Sequence, residues 1–157
     1  MIKFLNLGLQ PLANSYLKKK NLNHKEKKFK LEVAFNKKNY LVSIVNTVSK
    51  EKMFNNMYPY KSSESKTMRK SFKDLTTKVK KRFKPNFIIE IGSNDGVFMK
   101  NFNKKNIVGV EPCKNLAKLT KNINYTTYSE YWSMKLARKI TINKKAELIY
   151  SANTLSH

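Results

Sequence analysis

The run Glu90-Ile91-Gly92-Ser93-Asn94-Asp95-Gly96 directly follows the apolar residues Phe87-Ile88-Ile89. Two glycines four apart let a backbone turn sharply and approach a ligand with no Cβ in the way. The spacing is not the G-x-G-x-x-G of a pyrophosphate-binding turn. An acid at a strand end, Glu90, beside Ser93, Asn94 and Asp95, suits a ligand that carries an ammonium and no phosphate. Glu111 stands fifteen residues after Gly96, at the end of the next apolar run. A carboxylate there can accept both hydroxyls of a ribose. Either element alone is weak. Together, in order on successive strands, they point to S-adenosyl-L-methionine as cofactor.

The elements that must position these residues are readable from periodicity. Met68, Phe72, Leu75, Val79 and Phe83 recur at helical spacing, with Ser65 placed as an N-cap and Lys80, Lys81, Arg82 and Lys84 crowding the last turn. Pro85 stops that helix. Phe87–Ile91 is a short β-branched run expected of a strand buried on both faces. Val97 to Phe102 reads as helix-like, Ile107–Val110 as a second buried strand, Asn115–Lys121 and Glu130–Ile140 as helices, and Leu148–Tyr150 as a further strand. Such alternation predicts an α/β chain with a parallel sheet. The segment before the long helix reads as irregular and turn-rich. The expected organisation is an N-terminal module over 1–62, a linking helix over 63–85 and a ligand-binding domain over 86–157.

Composition narrows the function classes. The chain has 157 residues with 40% apolar content, too much for a disordered polymer. No apolar run nears the roughly 18 residues of a membrane span, and no secretory signal opens the chain, so a cytoplasmic protein with no membrane partner is expected. The net charge of +23 suggests nucleic acid, yet the excess is spread as +9, +8 and +6 over residues 1–50, 51–86 and 87–157. Only 3 of the 33 basic residues are Arg, and 19 Asn accompany the lysines. Readers of bases and phosphates lean on the guanidinium fork, so the charge argues for a solvated surface more than for nucleic acid. The single cysteine, Cys113, excludes an internal disulfide and a multi-cysteine metal site.

At this point the motifs resemble the sugar C-methyltransferase group of class I S-adenosylmethionine-dependent methyltransferases. Leu7-Gly8-Leu9-Gln10-Pro11-Leu12-Ala13-Asn14 is similar to that family's L-G-x-Q-P-L-A-N signature, and Tyr58 to Ser65 to its Tyr-x-Tyr-x-Ser-x-x-Ser stretch. Glu90 to Gly96, Val110-Glu111-Pro112, and Ala152-Asn153-Thr154-Leu155-Ser156-His157 resemble its cofactor loop, second-strand ending and A-N-x-L-x-H segment. The resemblance implies a Rossmann-like sheet behind a small module, and methyl transfer to carbon 3 of a nucleotide-linked 4-keto-6-deoxy sugar. It implies cofactor contacts from Glu90, Gly92, Ser93, Asn94, Asp95, Gly96, Glu111, Pro112 and Asn153. Tyr60, Ser62 and Ser65 would meet the substrate, and His157 would be the general base.

Two departures accompany the likeness. The family's module usually holds zinc through two Cys pairs; in Phe35 to Tyr40 the expected positions are Asn36 and Asn39, and amide oxygen is a poor zinc ligand. The expectation is no zinc. The family's sheet also has more strands than this chain supplies, so the chain reads as a fragment, inactive by itself. The alternatives are a class I methyltransferase acting on another small molecule, since fold does not dictate substrate, and a non-enzymatic basic RNA-binding protein.

Overall fold

The computed structural model describes residues 1–154 and divides them into two compact units that meet between Phe54 and Asn55. The first unit is more regular than its sequence suggests. It is a three-stranded antiparallel sheet of β1 (Ile2–Pro11), β2 (Lys28–Phe35) and β3 (Val42–Ile44) in the order β1-β2-β3, followed by the single turn α1 (Lys50–Met53). The alternation Phe29, Leu31, Val33, Phe35 explains β2. Register irregularities on either side of Leu5 and Asn6 obscure the same period in β1. There Gly8 takes φ +69° while its N–H donates to Asn6 Oδ1 at 2.9 Å.

The second unit is a parallel sheet with helices on both faces. Its strands β4 (Ile88–Ile91), β5 (Ile107–Val110), β6 (Thr126–Tyr128) and β7 (Leu148–Ser151) lie in the order β6-β5-β4-β7. All four residues of β4 are buried, as the apolar run requires. Ile88 faces one core, with Phe72 and Val79 of α2 (Lys66–Phe83) and with Phe98. Ile89 and Ile91 face another, with Leu136 of α4 (Met134–Ile140). The long helix therefore belongs to the second unit and is no free-standing linker, because its apolar stripe packs on the sheet. Phe83 is the exception, 57% exposed where the helix ends.

Ser65 caps α2, its hydroxyl accepting Met68 N–H at 3.2 Å, and Lys84 closes it in the left-handed region at φ +43°. Three boundaries differ from the sequence reading. The stretch from Val97 forms only one tight turn, Met99–Asn101, because the Asn101 amide donates to the Val97 and Phe98 carbonyls and ends it. The last helix begins at Met134, where Ser133 caps it, so Trp132 precedes the helix while still packing in the same core. β6, built of the strand-favouring Thr126-Thr127-Tyr128, is too short to show a period and is absent from the sequence reading. Between β5 and β6 runs α3 (Lys114–Lys121). Among the described residues no helix is long and apolar enough to cross a membrane.

Candidate functional site

In parallel sheets of this kind ligands lie outside the carboxyl ends of the strands, where the strand order reverses. Here β4 is that strand: the chain proceeds from it to β5 and β6 on one side and returns with β7 on the other. Glu90, the Gly92–Gly96 turn, Glu111 and the Ala152–Thr154 loop all gather at this end. The sequence motifs thus converge in space.

The turn begins as Gly92 and Ser93 donate their N–H groups to Val110 O at 2.8 and 3.1 Å, so the loop folds back across the end of β5. Gly92 and Gly96 take φ +72° and +83°. The space a Cβ would need at Gly92 is filled by the Thr154 side chain, and at Gly96 by Thr120 and Met99. Internal packing and backbone conformation therefore require these glycines. Gly109 on β5 serves the same end, since Ser93 Oγ rests 2.8 Å from where its Cβ would lie.

Asn94 and Asp95 tie the loop to the segment before α2. Asn94, itself at φ +50°, accepts Ser62 N–H at 2.9 Å and donates from Nδ2 to Tyr60 O at 3.2 Å. Asp95 is buried and accepts both the Ser63 N–H at 3.2 Å and the Ser63 hydroxyl. The Arg69 guanidinium donates to Ser63 O, and Asn115 Nδ2 to Tyr58 O at 2.8 Å. Two motifs more than twenty residues apart in sequence are thereby joined. The join uses backbone groups of Tyr60 and Ser62, and Ser65 spends its hydroxyl on the helix cap. Ser63, absent from the sequence-derived site, is the serine that engages the loop; it differs from Ser62 by one position, which no local pattern could resolve. Pro112 follows Glu111 in the turn into α3, and Asn153 is exposed at φ +51° after β7. His157 lies outside the described residues.

The charges at this end are unusual. Glu111 is 5% exposed, and its two oxygens accept Asn94 N–H and Cys113 N–H, each at 2.8 Å. Burial pushes its carboxyl above the usual range, against the pull of those two donors and of the Cys113 thiol. The Cys113 thiol is a third donor to it; a carboxylate has about four lone-pair positions, so capacity remains for about one further donor. Glu90 is 4% exposed, and burial raises its carboxyl well above the ordinary value, the Met99 N–H opposing and the charges of Glu111 and Asp95 reinforcing the shift. Its Oε2, together with Ser93 Oγ and Asn115 Oδ1, is buried without a hydrogen-bond partner. Buried polar atoms are ordinarily satisfied. An unpaired carboxyl oxygen beside two further acids is a place where a bound cation would favour the ionised form. Cys113 is buried, and burial followed by the Glu111 charge pushes its thiol upward, so it is no nucleophile.

Residues 1–54 match the family model Methyltransf_13, described as "Putative zinc binding domain". No curated protein matches the chain. Among solved structures, the crystal structure of Streptomyces venezuelae DesVI is similar with a TM-score of 0.42 and 15% identity, over 57% of this chain and 38% of that one. The chain thus spans well under half the length of that solved protein. Its first 54 residues are similar to the domain that this family model describes, and a parallel sheet follows them.

Proposed function

We propose that this chain forms the cofactor-binding part of an S-adenosyl-L-methionine-dependent methyltransferase. The observation that carries the reading is the unpaired, buried Glu90 Oε2 at the switch point of the sheet, flanked by Asp95 and Glu111. The cofactor brings an ammonium and a sulfonium, and its methyl is the electrophile that the reaction transfers. Glu90 would answer the positive charge; the remaining acceptor capacity of Glu111 suits a ribose hydroxyl. Ser93 Oγ, buried and unpaired, is a further polar group at the same end. The acceptor, by resemblance of the motifs, is a nucleotide-linked 4-keto-6-deoxy sugar methylated at carbon 3. There the neighbouring ketone acidifies the proton that a base, proposed as His157, removes.

The test is calorimetry of the chain with S-adenosyl-L-methionine in two buffers of different ionisation enthalpy. Because burial raises the Glu90 carboxyl and a bound cation would lower it again, binding at a pH above 4.5 should release protons, and the apparent enthalpy should differ between buffers. Glu111→Ala should weaken binding by roughly 1.5–3 kcal/mol, the worth of hydrogen bonds to a charged group, in protein whose circular dichroism confirms folding. Failure of folded wild-type chain to bind at millimolar cofactor, or equal affinity in the variant, would overturn the assignment.

A further inference from the structure

A zinc site needs about four nitrogen, sulfur or oxygen ligands in a tetrahedron, each within roughly 2.0–2.3 Å of the ion. Residues 1–54, which match a family described by zinc binding, contain no Cys and one His, His24. Among the described residues no three His, Cys, Asp or Glu side chains lie close enough together to hold a metal ion. The donor set does not fit the metal.

The segment where the resemblance places the family's second Cys pair is a closed turn. The turn between β2 and β3 is closed by two side-chain amides that each accept a backbone N–H two residues on. Asn36 Oδ1 takes Lys38 N–H at 2.9 Å, and Asn39 Oδ1 takes Leu41 N–H at 3.2 Å. Around them, Tyr40 N–H donates to Asn36 O at 2.8 Å and Asn36 N–H to Leu41 O at 2.9 Å, with Tyr40 at φ +58°. Both amide oxygens are thus engaged in a self-contained turn. On β2, the Glu32 carboxylate is 5% exposed and ties three segments together. It receives Lys3 Nζ of β1 at 3.3 Å, Lys30 Nζ of its own strand at 3.1 Å, and Asn46 Nδ2 beyond β3 at 3.2 Å. Its backbone carbonyl accepts Val45 N–H at 2.9 Å.

We infer that the 1–54 module is a metal-free version of its family's domain, with the Asn36–Leu41 turn closing the hairpin and Glu32 cross-linking the strands in place of a bound ion. An ion contributes folding energy to small domains that cannot bury a sufficient core. In this module directional hydrogen bonds and a buried carboxylate take over that task, and the fold becomes independent of metal supply.

The experiment uses the whole chain produced in zinc-supplemented medium. Elemental analysis should find far less than one zinc per chain, and thermal melts with and without a zinc chelator should superimpose. In hydrogen exchange, the Asn36→Ala/Asn39→Ala variant should expose the amides of Lys38, Tyr40 and Leu41 about tenfold faster or more, the loss of one or two ordinary hydrogen bonds. Amides of β4 and β5 should stay protected. The Asn36→Asp/Asn39→Asp variant, which retains the acceptor oxygens, should exchange close to wild type. Stoichiometric zinc, or a chelator-sensitive melt, overturns the inference. So does unchanged exchange in the alanine variant.

Discussion

Replacing Glu90 by Gln should flatten the pH dependence of stability in residues 55–157. Glu90 is buried under the loop with one oxygen unpaired, and its carboxyl sits well above the ordinary 4.5, first because of burial and then because of the charges of Glu111 and Asp95. The folded state keeps a proton there that the unfolded chain releases near 4.5. Folded protein therefore binds more protons than unfolded, and stability falls as pH rises from about 4.5 toward the raised folded value. One such proton gives a slope of about 1.4 kcal/mol per pH unit. Gln copies the protonated group: it keeps an acceptor for the Met99 N–H and never ionises. In the range above pH 4.5 where the folded group keeps its proton, E90Q should gain stability relative to wild type as pH rises, by at most about 1.4 kcal/mol per pH unit. Glu111 is shifted in the same direction in both proteins, so the difference isolates Glu90. Urea unfolding followed by fluorescence of Trp132, the sole tryptophan and packed in the second unit's core, supplies the measurement. Equal slopes in the two proteins would refute the claim that Glu90 is held protonated.

The first unit should behave oppositely. Lys30, then Lys3, holds the Glu32 carboxyl below its ordinary value, so its contribution is present above about 4.5 and lost as pH falls through the lowered value; E32Q should remove that acid loss, read by hydrogen exchange in β2. Gly92→Ala adds a Cβ at φ +72° against Thr154 and should cost about 2–4 kcal/mol from backbone strain and overpacking together, measured by urea unfolding. Ser65→Ala removes the cap of α2 and should cost about 1 kcal/mol, with Ser65→Asp restoring most of it. An unchanged midpoint for Ser65→Ala would mean that the hydroxyl is not needed as a cap.

Much of this architecture is legible before any coordinates. The stripe from Met68 to Val79 dictates a helix with one apolar face, and the β-branched runs at Ile88–Ile91 and Ile107–Val110 dictate strands that must be covered on both sides. The order of glycines and acids places Glu90 and Glu111 at neighbouring strand ends, because a parallel crossover returns each strand in the same direction. Less was readable where a segment's structure rests on partners far along the chain. β6 exists because β5 offers a hydrogen-bonding edge, and Thr126–Tyr128 has little pattern of its own. The first sheet's regularity was hidden by irregular register in β1.

What the sequence by itself determined is therefore the period of each element and which acids stand at strand ends, since both follow from spacing along one chain. What only the tertiary structure decided is how those groups are spent. The packing of Thr154, Thr120 and Met99 against the loop gives the two glycines an internal packing reason as well. The approach of the Tyr58–Ser65 segment commits Asn94 and Asp95 to backbone and hydroxyl partners. Glu90 Oε2 and Ser93 Oγ remain buried without a partner at the carboxyl end of β4. A hydrogen bond depends on distances of a few tenths of an ångström between residues tens of positions apart, and sequence spacing does not set such distances.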